Sequence, residues 1–133
     1  MNAPRACLLV VDNETTFCQV IAKRLGAEGF DVVTAASGDE AMARLAGQPF
    51  DCILLDVLMP GKGGYAIYRE IRALPKAKTT PIIFLTVTAD ERQWEPLPEP
   101  GEDRAFVTGK PITHQLLVER IRTLVSQAKS ETD

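Results

Sequence analysis

Four short apolar runs, each giving way to polar residues at its far end, constrain this chain more than any other feature. Cys7-Leu8-Leu9-Val10-Val11 closes on Asp12-Asn13-Glu14, and Cys52-Ile53-Leu54-Leu55 closes on Asp56. Ile82-Ile83-Phe84-Leu85 closes on Thr86, and Ala105-Phe106-Val107-Thr108 leads to Lys110-Pro111. The runs are apolar throughout instead of alternating, the pattern of strands covered on both faces. Helical spacing of apolar residues fills the intervals between them. Strands and helices that alternate in this way build parallel sheets through right-handed crossovers.

The helical intervals can be placed. Residues 14 to about 28 carry Phe17, Val20, Ile21, Ala22 and Leu25 as an apolar face, with Gly26 and Gly29 closing the segment. Phe30 to Ala35 is a short β-branched strand. Ser37-Gly38-Asp39-Glu40 is a capping box, opening a helix that uses Ala41, Met42 and Leu45 and stops at Gly47 and Pro49. Tyr65 to Leu74 turns Ile67, Tyr68 and Ile71 inward, and Pro75 ends it. A last helix, capped by Thr113, faces Leu116, Leu117, Ile121, Leu124 and Val125 inward. The expected fold is α/β, a doubly wound five-stranded parallel sheet of the flavodoxin-like kind. In such sheets chemistry gathers beyond the carboxyl ends of the strands. The two acids, the hydroxyl and the ammonium at those ends therefore belong to one site.

At 133 residues the chain suits one domain, with a core over about 6–126 and a polar tail over 127–133. A net charge of −3 argues against a nucleic-acid-binding domain. No stretch of about 18 apolar residues is present, so no membrane span is expected, and residues 1–5 lack a signal-peptide core. The three cysteines, Cys7, Cys18 and Cys52, form no CxxC. Cys7 and Cys52 sit in strand runs as small core fillers. A cytoplasmic location fits this usage.

From Cys7 to about Val125 the chain resembles the response-regulator receiver domain of two-component signalling. The resemblance rests on Leu8-Leu9-Val10-Val11-Asp12, on Leu54-Leu55-Asp56-Val57-Leu58-Met59-Pro60-Gly61 with Gly64, and on Thr86 and Lys110-Pro111. It implies that Asp56 is a phosphoacceptor supplied by a histidine kinase or phosphotransfer protein. It implies a Mg2+ site formed by Asp12, Asn13, Asp56 and the Leu58 backbone carbonyl. Thr86 would hydrogen-bond the phosphoryl group and Lys110 would pair with it. The result is a switch for an unidentified downstream protein, with slow self-catalysed dephosphorylation and no turnover of free substrates.

The chain also departs from that pattern. Asn13 stands where the family usually has a second acid, which predicts weaker Mg2+ affinity; Glu14 lies next to it. Pro96, Pro98 and Pro100 exclude a helix interior, at about 3 kcal/mol each, so the fourth helix is expected to be short or missing. Gly109 is an added residue before Lys110; a glycine bulge would restore the register, and otherwise the aromatic Phe106 is displaced. Val87 replaces a small residue. Trp94 either anchors a partner or covers core, and His114 reads as an exposed first-turn residue. Two further functions compete. One is a receiver-like interaction module independent of phosphate. The other is a flavodoxin-like electron carrier, disfavoured by the acidic Asp12-Asn13-Glu14 where a phosphate-cradling loop would be needed.

Overall fold

The computed structural model describes residues 5–56, 64–86, 105–109 and 114–132. Among these, five strands form one sheet: β1 (Cys7–Val11), β2 (Asp31–Ala35), β3 (Cys52–Asp56), β4 (Ile82–Thr86) and β5 (Ala105–Gly109). Their order is β2-β1-β3-β4-β5 and every neighbouring pair is parallel. The helices are α1 (Thr15–Ala27), α2 (Gly38–Gly47), α3 (Gly64–Arg72) and α4 (His114–Thr132), with a 3-10 turn at Pro75–Ala77. The expected doubly wound, five-stranded α/β fold is therefore the observed one.

Both faces of the sheet are covered because successive strand side chains point to opposite sides. On β3, Ile53 and Leu55 join an apolar layer with Ala41 and Leu45 of α2 and Ile67 and Ile71 of α3. Cys52 and Leu54 join the opposite layer, with Cys18, Ile21 and Leu25 of α1 and Leu117, Val118 and Ile121 of α4. The inner stripe of α1 therefore runs through Cys18. Val20, expected inside, is 47% exposed. In α4, Val118 is buried and Leu116, expected inside, is 44% exposed. The polar tail expected from residue 127 is helical as far as Thr132. No glycine or proline interrupts 114–132, and Gln127, Ala128, Lys129 and Glu131 are good helix formers.

Local chemistry sets the helix ends. Ser37 Oγ accepts the Glu40 N–H at 3.1 Å. The reciprocal arm of the capping box is shifted by one residue, with Ala36 N–H donating to Glu40 Oε2 at 3.2 Å. Gly26 lies inside α1, and Gly29 is the residue that ends it, at φ 100°. Gly29 N–H donates to Gly26 O and Phe30 N–H to Leu25 O, a Schellman closure. An added Cβ at Gly29 would meet nothing within 4 Å, so its cost is backbone strain alone. Gly29→Ala is expected to lower stability by about 1–2 kcal/mol, read by urea denaturation. Gly29→Asn, better suited to positive φ, should recover part of the loss.

The same turn is held from two sides. Arg5 Nε donates to Gly29 O at 3.1 Å, and Arg5 Nη2 donates to Phe30 O at 3.1 Å. From α4, Arg122 Nη2 donates to Glu28 O at 3.1 Å, with its guanidinium 5.6 Å from the Phe30 ring centroid. His114 Nε2 lies 3.2 Å from Glu28 Oε1. His114 is thus the first residue of α4, as expected, but half-buried and engaged with α1.

Cys52 is fully buried as expected, whereas Cys7 is only half-buried. Burial pushes the Cys52 thiol from 9.0 to about 12, against a smaller opposing effect of the Ile53 N–H and with a further rise from the Asp51 charge. A thiol that stays protonated in the fold but ionises on unfolding favours the fold below pH 9.0. That advantage is lost as pH rises through the window from 9.0 to about 12. Two results are expected. Stability declines across that window, and iodoacetamide at pH 8 labels Cys52 only after unfolding, as read by peptide mass.

Candidate functional site

The strand register brings the acids together. Val11 pairs with Leu55 across β1 and β3, so Asp12, the next residue, arrives beside Asp56 at the carboxyl edge. Both side chains are withdrawn from water, Asp12 at 0% and Asp56 at 6% exposure. Across β3 and β4, Asp56 pairs with Leu85, which puts Thr86 one step further along the same edge. Thr86 in turn pairs with Gly109 of β5. Lys110 follows Gly109 in the chain; it and Leu58 lie outside the described residues, as does the segment 87–104 with Val87, Trp94 and the three prolines.

Asp12 is fixed by its surroundings. Its N–H donates to Ala35 O at 3.0 Å, tying the end of β1 to the end of β2. Its Oδ1 accepts the Glu14 N–H at 2.9 Å, an Asx-turn that leads the chain into α1. Its carbonyl accepts the Cys18 Sγ–H at 3.3 Å. The carboxylate thereby stands at the amino end of α1, where the helix dipole favours negative charge. Asn13 and Glu14 are exposed. Glu14 occupies the N-cap position with no side-chain capping bond. Sequence reading missed the Cys18 contact; its signal was the i, i+3, i+7 stripe of Cys18, Ile21 and Leu25.

Register bears on the question raised at Gly109 as far as the described residues reach. The β4–β5 ladder runs unbroken from Ile82 opposite Ala105 to Thr86 opposite Gly109. No bulge interrupts it, and Phe106 stands opposite Ile83.

Adjacent strands lie about 4.8 Å apart. Two carboxylates about 5 Å apart repel by about 3 kcal/mol at an effective dielectric of 20. Hard oxygen donors under such repulsion suit a divalent cation such as Mg2+. Among the described residues, no group of three or more His, Cys, Asp or Glu side chains converges on one point. A cation here would therefore rest on two carboxylates with amide, carbonyl or water oxygens completing the shell.

A parallel sheet in this order, with paired buried acids at its carboxyl edge, defines a flavodoxin-like domain with an acidic strand-end pocket. The chain belongs to the response regulator receiver domain family, whose model matches residues 8–122. It is 36% identical over 121 residues to the transcriptional regulatory protein ResD of Bacillus subtilis, covering 91% of this chain and 48% of ResD. It is 33% identical over 124 residues to the phosphate regulon transcriptional regulatory protein PhoB of Rhizobium meliloti, covering 93% and 54%. The chain thus spans about half the length of the curated relatives it matches. Among solved structures, the chemotaxis protein CheY4 of Vibrio cholerae superposes with a TM-score of 0.79 at 31% identity, covering 91% of this chain and 99% of CheY4. The receiver domain of a histidine kinase from Syntrophus aciditrophicus gives 0.82 at 29%, covering 93% and 92%. The domain is a two-component signalling receiver. Among the described residues no helix is long and apolar enough to cross a membrane.

Proposed function

We propose that Asp56 accepts a phosphoryl group from a phosphohistidine on a histidine kinase or phosphotransfer protein, and that the change switches binding of a downstream protein. The observation that carries this reading is the pairing of Asp12 and Asp56, both buried, at the carboxyl ends of adjacent strands. In the transfer an Asp56 carboxylate oxygen attacks phosphorus, the P–N bond to the donor imidazole breaks, and the freed imidazole takes a proton. Asp12, Asp56, the Leu58 carbonyl and Asn13 would hold Mg2+, which supplies neutralisation of the charge shared by carboxylate and phosphoryl group. Asp12 stays in place through its Glu14 N–H bond and orients that set.

After transfer the phosphoryl group brings about two negative charges and strong acceptor oxygens to the edge. The Thr86 hydroxyl would donate to it and the Lys110 ammonium would pair with it, drawing the ends of β4 and β5 toward β3. Water later attacks phosphorus and restores the carboxylate, slowly and without a separate substrate. A net charge of −3 supports protein partners over nucleic acid. The three free cysteines support a reducing cytoplasm.

The exposed, uncharged Asn13 favours a second reading, a receiver-like module that binds partners without phosphate. Intact-mass analysis after acetyl phosphate treatment separates the two. The proposed function requires a single phosphoryl adduct with Mg2+ and none with excess chelator. No adduct from acetyl phosphate or from a panel of phosphorylated kinases, at any Mg2+ concentration, would leave the second reading standing.

A further inference from the structure

The pairing of β1 with β3 brings Asp12 beside Asp56, but it does not fix which way the peptide after Asp12 faces. The Asp12 carbonyl and the Asn13 N–H belong to one planar group, so whatever holds that carbonyl also aims Asn13. The hold comes from α1. Cys18 Sγ donates its proton to Asp12 O at 3.3 Å in a buried contact, and Cys18 itself is buried. Two further bonds close the same loop: Glu14 N–H to Asp12 Oδ1 at 2.9 Å, and Cys18 N–H to Glu14 O at 3.0 Å.

Side chains on a helix lean toward its amino end, and a small polar one often returns to the carbonyl four residues back. For Cys18 that carbonyl is Glu14 O, which accepts the Cys18 N–H. The thiol reaches past it to Asp12, outside α1. On its other side, the Asp12 N–H donates to Ala35 O. The N–H of that same peptide, at Ala36, donates to Glu40 Oε2 at 3.2 Å. This second arm ends in an exposed bond, where water can stand in for Glu40. The Cys18 arm is buried, where a lost donor is not so readily replaced. We infer that Cys18 is a positioning residue: its thiol fixes the Asp12–Asn13 peptide and so aims two of the groups proposed to hold Mg2+. This role rests on the proposed Mg2+-dependent transfer to Asp56.

Cys18 also fills space in the layer with Ile21 and Leu25, so filling has to be separated from donating. Cys18→Ala and Cys18→Ser leave nearly the same volume and differ by one hydroxyl donor. Calorimetric titration of Mg2+ into the full chain, with no phosphoryl donor present, reads the site directly. A thiol is a weak donor, which puts the effect at the lower end for hydrogen bonds. Cys18→Ala is expected to weaken Mg2+ binding about threefold to fivefold, while Cys18→Ser stays within about twofold of wild type. Both variants should melt below wild type, so a purely structural role predicts equal losses of Mg2+ affinity. The infrared S–H band that disappears in Cys18→Ser should lie below that of a free thiol and should shift when Mg2+ is added.

Equal Mg2+ affinities for Cys18→Ala and Cys18→Ser, or an S–H band at the free-thiol position, would overturn this role. An acetyl phosphate adduct on Asp56 of the wild-type chain would in that case leave the phosphoacceptor reading intact. The converse is distinct. No adduct on wild type, with the difference between the two variants retained, removes the phosphoacceptor reading and keeps Cys18 as the positioning residue of a metal site. A wild-type chain that binds no Mg2+ loses both.

Discussion

Asp56→Asn is expected to fold normally and to carry no phosphoryl adduct after acetyl phosphate and Mg2+ treatment that labels the wild-type chain. Asparagine matches aspartate in shape, so the end of β3 keeps its packing and its pairing with Leu85. What it loses is the nucleophile: an amide oxygen carries no formal charge and forms no stable bond to phosphorus. The variant also removes one of two buried negative charges from the pocket, which weakens any cation site there. The two losses act together, so labelling should fall at least about a hundredfold, the scale on which single groups central to a reaction act. The wild-type adduct should be cleaved by hydroxylamine, as an acyl phosphate is and a phosphothreonine is not. A hydroxylamine-resistant adduct that survives in Asp56→Asn would move the acceptor to a hydroxyl and overturn the assignment.

Phe84→Ala should have the largest effect on stability. Phe84 is fully buried in the layer covered by α2 and α3. Its ring meets Tyr68 of α3 edge-on, with centroids 5.5 Å apart and planes at 60°. Tyr68 is held in turn by the Arg72 guanidinium, 5.5 Å from its centroid. Arg72 Nη1 also donates to Ala77 O at 2.8 Å and to Thr80 O at 2.7 Å, fastening the approach to β4. A ring so surrounded cannot be replaced by collapse of its neighbours. The expected loss is about 3–5 kcal/mol, or a fall in Tm of about 10–20 °C. Because Thr86 lies two residues along β4, phosphoryl labelling should become erratic near the new Tm before secondary structure is lost. A loss below about 1.5 kcal/mol would mean that the layer closes over the cavity.

Strands β1, β3 and β4 were legible because each is covered on both sides and so reads as an unbroken apolar run. Their ends were legible because the apolar run gives way there to a polar residue, which stays buried at Asp12 and Asp56. Asp12 and Asp56 could therefore be brought together from sequence. Helix faces were less legible at their margins. Val20 and Leu116 are apolar yet exposed, while Cys18 and Val118 take the inner positions. Apolar residues at the surface are ordinary, and only packing against the sheet fixes which ones turn inward. Hydrogen bonds that join distant parts of the chain, such as Arg5 and Arg122 on the α1–β2 turn, leave no periodic trace. The unbroken pairing as far as Gly109, among the described residues, also had to come from the ladder itself, since glycine permits either geometry.

The constant pairing of β1 with β3, from Leu8 opposite Cys52 to Val11 opposite Leu55, has a consequence for how such a domain can vary. Insert one residue at the start of β3 and every side chain after it crosses to the other layer. Ile53 and Leu55 would trade places with Cys52 and Leu54, and Asp56 would move off the row it shares with Asp12. The damage to the core and the damage to the chemistry come from the same slip. Length changes are therefore barred from the strands and confined to the connections beyond their carboxyl ends, so a lineage of such domains can diversify its partners while its pocket stays in register.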